Sequence, residues 1–318
     1  MRLVIIEDKN TGHNRPLNAL VNELSKLQES EIIQFRLNDD ISAFTDNLQK
    51  SVFSKTLILG AGHRSHKKII ALQKCIAKKE SAIGVALMKP TFCINQYDLV
   101  IAPNHDFLNR KIPNNVITHD GSLSKVSHAQ VIENTLLIAI GGPTPKMPFQ
   151  ENLVLNNINH VLNVHPEYKV RLCNSRRTPN SFWIKIKDLD HEFLEIYEEN
   201  NTDSEAFQNL IATSEKKFVT PDSINLVSEC LSSMGATYII QINENSPKKS
   251  ILPFKQNKFL EYIESMRDIG QLGYVAESME GPVKLTRIEK PRIINSPMCE
   301  VEKVAFQIKN WVKNKYSQ

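Results

Sequence analysis

Short apolar runs recur along the chain at intervals that leave room for a helix between successive pairs. They lie at 2–7, 31–36, 56–60, 82–88, 97–102 and 115–118, and again at 135–140, 168–173, 194–197, 216–219 and 237–242. Several, such as Leu3-Val4-Ile5-Ile6 and Leu136-Leu137-Ile138-Ala139-Ile140, are apolar at every position instead of alternating. That is the pattern of parallel strands covered on both faces. Between the runs, 15–27, 65–79, 149–162, 204–214 and 223–234 carry apolar residues at helical spacing. Strand–helix alternation repeated this often predicts an α/β architecture with doubly wound sheets. A last helix is expected over 300–314, with Val301, Val304, Ala305, Ile308 and Trp311 on one stripe.

The stretch 122–134 is polar and lacks a period, and a fresh strand begins just after it. Each half then opens with a strand and a glycine-containing turn: Gly12 follows Ile6, and Gly141-Gly142 follow Ile140. The pattern predicts two Rossmann-like domains, 1–128 and 129–300, facing each other across a cleft. Ligands would sit at the C-terminal ends of the strands. The helix within 301–318 would pack back on one of the two.

At 318 residues the chain is long enough for two cores, and 41% apolar with 23% charged residues is ordinary for a soluble globular protein. A net charge of +4 is too mild for a dedicated nucleic-acid binder. It suits an anionic ligand or an anionic membrane surface. The five cysteines show neither a CxxC pair nor metal-ligand spacing, so no disulfide framework is expected. Glu7 and Asp8 arrive too early for a signal peptide. No run approaches the ~18 apolar residues of a membrane span. A cytoplasmic protein is expected, able to touch the inner face of a membrane.

Two loops carry the chemistry of the second half. Ser175-Arg176-Arg177-Thr178-Pro179 and Val219-Thr220-Pro221-Asp222-Ser223 each follow a strand-like run and open a helix-like one. With Thr178 as N-cap and Pro179 at the first helical position, both arginines would stand at a helix N-terminus. Free backbone N–H groups, the positive end of the dipole and two guanidinium forks would converge on an anion such as a diphosphate. Gly141 and Gly142 would let the ligand approach the backbone closely. Asp222 or Ser223 would cap the next helix, on which Asp222, Asn225, Ser228 and Glu229 share a face. A carboxylate there is placed to accept hydrogen bonds from ribose hydroxyls. Neither GxGxxG nor GxxxxGK[ST] occurs, which argues against dinucleotide dehydrogenases and P-loop enzymes.

In the first half, Gly12-His13-Asn14, Gly60 to Ser65 and Pro103 to Asp106 put titratable groups at strand ends. A general base toward a hydroxyl acceptor is expected there, with Asp106 the first candidate and His13 the second. His63 and His66 have the spacing of a metal pair but no third ligand, so no metal site is assigned. The basic stretch 66–79 reads as a Rossmann helix with its core face inward and its lysines in water, in preference to a membrane-surface helix.

Taken together these motifs resemble the mitochondrial-fission "elongated mitochondria" family, which is broadly present in bacteria. The likeness runs through Asp8 to Asn14, Gly60 to Ser65, Tyr97 to Asp106, Asn115 to Ser122, Gly141-Gly142, Ser175 to Pro179 and Val219 to Glu229. The chain departs from the family pattern at Asn14-Arg15, at Thr202-Asp203-Ser204 and at Gly235-Ala236-Thr237. The resemblance implies a GT-B-fold glycosyltransferase that moves a sugar from a nucleotide-sugar donor to a hydroxyl acceptor. The acceptor would be a glycan or lipid-linked molecule of the cell envelope, and neither a metal nor a resident cofactor would be needed. The second domain would hold the nucleotide through Gly141, Gly142, Ser175, Arg176, Arg177, Thr178, Thr220, Asp222, Ser223, Ser228 and Glu229. The first would hold the acceptor beside Asp106 and His13. A nucleotide-sugar epimerase and a non-catalytic scaffold assembled at a membrane remain the other readings.

Overall fold

A computed structural model gives the fold for residues 1–48, 53, 55–78, 80–91, 93–107, 110–145, 147–243, 258–280 and 283–315. The chain forms two compact units, Met1–Lys125 with Cys299–Gln318, and Val126–Met298.

The first unit runs β1 (Arg2–Glu7), α1 (Thr11–Leu27), β2 (Glu31–Arg36), α2 (Ile41–Asn47), β3 (Lys55–Ala61), α3 (His63–Ile76), β4 (Ser81–Leu87), β5 (Leu99–Pro103) and β6 (Val116–His119). The strands make one parallel sheet in the order β2-β1-β3-β4-β5-β6. Leu3, Val4 and Ile6 are fully buried, as are Leu57, Ile58 and Leu59, because helices cover both faces. Ile69, Leu72 and Ile76 of α3 join Val4, Ile6 and Ile58 in one cluster. The C-terminal helix, Glu300–Lys315, packs against α1 and β6 of this unit. It buries Val301, Val304, Ala305, Ile308 and Val312. Val312, not Trp311, completes the stripe, and Trp311 instead lies under the Lys315 ammonium at 4.9 Å.

The second unit runs β7 (Ile132–Ala139), α4 (Glu151–Val164), β8 (Lys169–Cys173), α5 (Asn180–Lys187), β9 (Leu194–Tyr197), α6 (Ser204–Thr213), β10 (Ser214–Val219), α7 (Ile224–Leu231), β11 (Ala236–Ile240), α8 (Lys258–Asp268), β12 (Leu272–Glu280) and β13 (Val283–Glu289). Its sheet order is β13-β12-β11-β10-β7-β8-β9, parallel except for the antiparallel β12–β13 pair. Alternate residues of β7 serve opposite faces. Leu136 and Ile138 meet α4 and α5 through Val154, Ile158 and Phe182, whereas Leu137 and Ala139 meet α7 and α8 through Val227 and Tyr262.

The eleven strands expected from the apolar runs all form. The β12–β13 hairpin was not expected, because Leu272–Glu280 carries glycine, serine and glutamates, and β13 alternates as an edge strand does. Helices α2 and α8 were likewise not anticipated, and Lys79, the last residue of the helix expected over 65–79, lies outside the described residues. The five cysteines are free, and among the described residues no helix is long and apolar enough to cross a membrane.

His119, the last residue of β6, has a ring 6% exposed, and burial pushes it down from an ordinary imidazole value to about 4. The folded chain therefore holds it neutral in a pH range where the unfolded chain protonates it. Its contribution to stability is present above about pH 6.5 and is lost as pH falls toward 4, amounting to roughly 3 kcal/mol. His119→Gln should flatten the pH dependence of unfolding free energy across that window, measured by denaturant titration; an unchanged slope would remove His119 from the account.

Candidate functional site

In the second unit β7 leads through β8 to β9 on one side, and β10 leads to β11 and β12 on the other. The strand order thus reverses between β7 and β10, the place in an open α/β sheet where loops diverge and ligands commonly bind. Gly141 and Gly142 follow β7 at this point, Thr220 to Ser223 follow β10, and Ser175 to Pro179 follow the adjoining β8.

These loops lock into one another. The Thr220 hydroxyl accepts a hydrogen bond from the Gly141 N–H (2.7 Å) and donates to Asp222 Oδ1 (2.6 Å). The Arg177 guanidinium pairs with the Asp222 carboxylate, whose side chain is 1% exposed while that of Arg177 is half exposed. The Thr178 hydroxyl accepts from the Ser175 N–H (2.9 Å) and shares its proton between the carbonyls of Ile140 (2.9 Å) and Gly141 (2.8 Å). The Ser175 hydroxyl accepts from the Arg177 N–H (3.2 Å). A Cβ on Gly141 would enter the Asp222 carboxylate, and one on Gly142 the Arg177 carbonyl. Both glycines are therefore required by loop-on-loop packing before any ligand is considered.

Three details differ from the sequence reading. Thr178 spends its hydroxyl on the β7 loop and does not cap α5; Pro179 takes the N-cap position, and no side chain caps that helix. The two arginines do not converge, because Arg177 faces Asp222 whereas Arg176, 81% exposed, faces Glu199 at 3.6 Å. Ser228 lies 3% exposed with its hydroxyl against that of Tyr262 (3.1 Å), inside the core and apart from the loops. Ser223 does cap α7, accepting from the Leu226 N–H at 3.4 Å. Glu229 stands half-buried on the second turn of the same helix.

The far end of α7 is held by a lysine that sequence reasoning passed over. Lys217, in β10, is fully buried, and its ammonium donates to the carbonyls of Cys230 (2.8 Å), Ser233 (3.3 Å) and Met234 (2.6 Å) and to Ser233 Oγ (2.7 Å). Burial pushes it down to about 8, while these oxygens and the negative end of the α7 dipole favour the charged form. A lysine amid the apolar Phe218-Val219 run was the available signal.

In the first unit the order reverses between β1 and β3. His13, in the first turn of α1, donates its Nδ1–H to Asp8 Oδ2 at 2.9 Å. Burial pushes the Asp8 carboxyl up, but the His13 hydrogen bond and the backbone N–H groups of Lys9 and Asn10 outweigh it and hold it below the usual carboxylate range. Asn14 closes the turn through both the N–H (3.2 Å) and the carbonyl (2.6 Å) of Asp8. The His13 ring lies against Gly62, where a Cβ would be 2.5 Å from the imidazole and φ is +82°. Asp8 was missed as a partner because the helix was expected to begin at 15; with Asn10 as N-cap it begins at Thr11 and turns His13 back onto the strand end. Asp106 ends a short 3-10 turn after β5, three strands from β1, roughly 14 Å at the usual strand spacing. Its backbone carbonyl accepts from Lys89 Nζ (2.7 Å). His66 gives Nε2 to the Leu87 carbonyl (2.8 Å) and His63 is exposed, so the two do not act as a pair.

With this geometry established, comparison with known proteins gives the following. The family model described as mitochondrial fission ELM1 matches residues 11–310. No curated protein matches the chain. The fold is similar to that of UDP-GlcNAc 2-epimerase from Neisseria meningitidis bound to UDP-GlcNAc, with a TM-score of 0.52 at 11% identity over 99% of this chain and 93% of that one. It is also similar to E. coli ADP-heptose lps heptosyltransferase II, with a TM-score of 0.48 at 10% identity over 99% of each chain. Such enzymes have the GT-B fold, and the two Rossmann-like parallel-sheet units are of that kind.

Gly142→Ala should test the loop packing directly. The added methyl meets a backbone carbonyl that cannot rotate away, so a loss of about 1–3 kcal/mol is expected, read as a lowered thermal midpoint. Full retention of stability would mean that the β8 loop is free to move off Gly142.

Proposed function

The chain belongs to the mitochondrial fission ELM1 family, and we propose that it is a glycosyltransferase that moves a sugar from a nucleotide-sugar to a hydroxyl acceptor. The setting is the synthesis of a cell-envelope glycan, in the cytoplasm at the inner face of the membrane, with a glycan or lipid-linked acceptor. The observation that carries this reading is the uncapped N-terminus of α5 beside Arg177, at the point where the second sheet reverses its strand order. Free N–H groups, the helix dipole and a half-exposed guanidinium suit a diphosphate there. The UDP-GlcNAc in the Neisseria structure of similar fold supports the same ligand class.

In the reaction the acceptor oxygen forms a bond to the anomeric carbon. The bond from that carbon to the diphosphate oxygen breaks, and the electron pair leaves with the nucleotide. Arg177, Arg176 and the α5 N-terminus would meet the charge that develops on the leaving group, so the step as written calls for no metal. Gly141, Gly142, Ser175, Thr178, Thr220, Asp222 and Ser223 would shape the pocket, and Glu229 would accept hydrogen bonds from the ribose. The acceptor proton would go to His13, oriented by Asp8 much as a carboxylate orients a histidine base elsewhere. Asp106 is the alternative base, and its distance from the reversal point of the first sheet ranks it second.

An epimerase is the second reading, favoured by the function of the Neisseria enzyme. It would transfer no sugar to an acceptor and release no free nucleotide, and would return a nucleotide-sugar of altered configuration, which product analysis distinguishes.

Arg177→Ala should weaken nucleotide binding at least about tenfold, because a charge-assisted hydrogen bond is worth roughly 1.5–3 kcal/mol. It should also lower the thermal midpoint, since Asp222 loses its counter-charge. Adding Asp222→Asn should restore most of the stability without restoring affinity in calorimetry. Recovery of both would show that the arginine serves only the fold.

His13→Ala should keep nucleotide affinity and lose about 10²–10⁴-fold in turnover, with Asp8→Asn losing part of that. Near wild-type turnover in His13→Ala, with the loss appearing in Asp106→Asn, would transfer the role to Asp106.

A further inference from the structure

We propose that the exposed face of α3 is a docking surface for an anionic lipid leaflet. Within 63–78 the chain carries Arg64, Lys67, Lys68, Lys74 and Lys78 and no acidic residue. Arg64, Lys67, Lys74 and Lys78 follow the helical repeat, with Ala71 filling the gap, and all four cations are exposed. From Arg64 to Lys78 the stripe is about 21 Å long at the usual helical rise. Opposite it, Ile69, Leu72 and Ile76 are buried against the sheet, so the stripe's direction is fixed by the core.

The stripe lacks the counter-charges that several other surface lysines hold. Lys26, Lys185, Lys187, Lys303 and Lys315 each hold a carboxylate. None of the four stripe cations is paired with a carboxylate among the described residues, and Lys68 lies over the Phe35 ring at 5.8 Å. The neighbouring α2 brings Asp46, and Asp40 at its start caps its own helix, accepting from the Ala43 N–H. The imbalance extends to the whole unit: the first has 21 lysines and arginines against 14 aspartates and glutamates, or +7, and the second 18 against 21, or −3.

Unmatched like charges on one helix repel one another, and an anionic surface relieves that repulsion by releasing counter-ions. A lipid leaflet fits better than a nucleic acid. No aromatic residue is interleaved among the stripe's cations for bases to stack on. A fluid leaflet needs only a row of cations at headgroup depth. The stripe starts two residues after Gly62, which the His13 ring overlies, so a lipid-linked acceptor held by the same leaflet would emerge at the edge of the sheet that bears the proposed base.

The full-length chain can be sedimented with vesicles of phosphatidylcholine alone and of equal parts phosphatidylcholine and phosphatidylglycerol, at low and high salt, with no nucleotide present. Binding is expected to the mixed vesicles only and to be lost at high salt. Lys67→Glu with Lys74→Glu should reduce it by at least roughly thirtyfold, since each cation near such a surface contributes about a fivefold factor. The thermal midpoint should not change, because both side chains are exposed. Equal binding by the double variant, or equal wild-type binding to neutral vesicles, would overturn the proposal. Retention on single-stranded RNA with no vesicle binding would overturn it in favour of a nucleic acid. Nucleotide affinity of the same variant, measured by calorimetry, reports on the second unit separately, so the transferase reading and this one can fail independently.

Discussion

One desolvated charge organises the second unit's strand ends. A carboxylate as enclosed as that of Asp222 is tolerated only when hydrogen-bonded and paired, and its partners come from its own loop and from the loop after β8. Thr220, two residues before it, gives a hydroxyl proton and receives the Gly141 N–H in turn. Arg177 reaches it from the loop after β8, which brings the Arg177 carbonyl over Gly142. Thr178 then ties that loop back to the carbonyls at the end of β7. Removing Asp222 from this set would leave Arg177 without the contact that orients it and Gly141 without its reason to be glycine. The three loops therefore behave as one element, and a ligand bound there would meet them already assembled.

The larger constraint is that both sheets are parallel and covered on both faces. Side chains within the strands are then committed to the cores, and chemistry is confined to the loops at the strand ends. Reversal of strand order selects two such places, β1/β3 in the first unit and β7/β10 in the second. Each turns out to hold a carboxylate engaged with a basic side chain across a glycine: Asp8 with His13 at Gly62, and Asp222 with Arg177 at Gly141. The helices that leave these points are anchored elsewhere. Lys217 fixes the far end of α7, so the Ser223 cap and the Asp222 loop are held from both ends of that helix.

The sequence was most legible where burial is symmetrical. Uninterrupted apolar runs mark parallel strands because nothing polar can face out of them, and each such run became a strand. Legibility failed where partners are remote. Nothing in Ser175 to Pro179 announces that Arg177 will face a carboxylate 45 residues away and Arg176 a different one, nor that Thr178 will turn its hydroxyl to Ile140 in preference to its own helix. The hairpin β12–β13 was obscured for the opposite reason. Leu272 and Val275 at the start of β12 are buried, but the rest of the hairpin carries glutamates, lysine and serine, so neither a continuous apolar run nor a clean alternation marks Leu272–Glu280. His13 was visible as a residue but not as half of a pair, since its contact with Asp8 depends on where α1 begins, and one turn of error in a helix start rotates the ring away.

The pairing of Arg177 with Asp222 changes what binding at this site would involve. An arginine fork has five N–H groups, and engaging one edge with Asp222 leaves others for a phosphate while fixing the plane of the guanidinium. Less side-chain freedom is then lost when ligand arrives. The same pairing cancels charge locally, so affinity for a diphosphate would rest on the uncapped α5 N-terminus as much as on Arg177. The arrangement also has a direction. Arg177 and the uncapped N-terminus stand on the α5 side, whereas Asp222 and Glu229 stand on the α7 side. Phosphate oxygens would be drawn toward the first and repelled by the second, while ribose hydroxyls, which donate, would find acceptors along α7. A nucleoside diphosphate carries these two kinds of group in series, and under the proposed reading its diphosphate would lie toward α5 and its ribose toward α7.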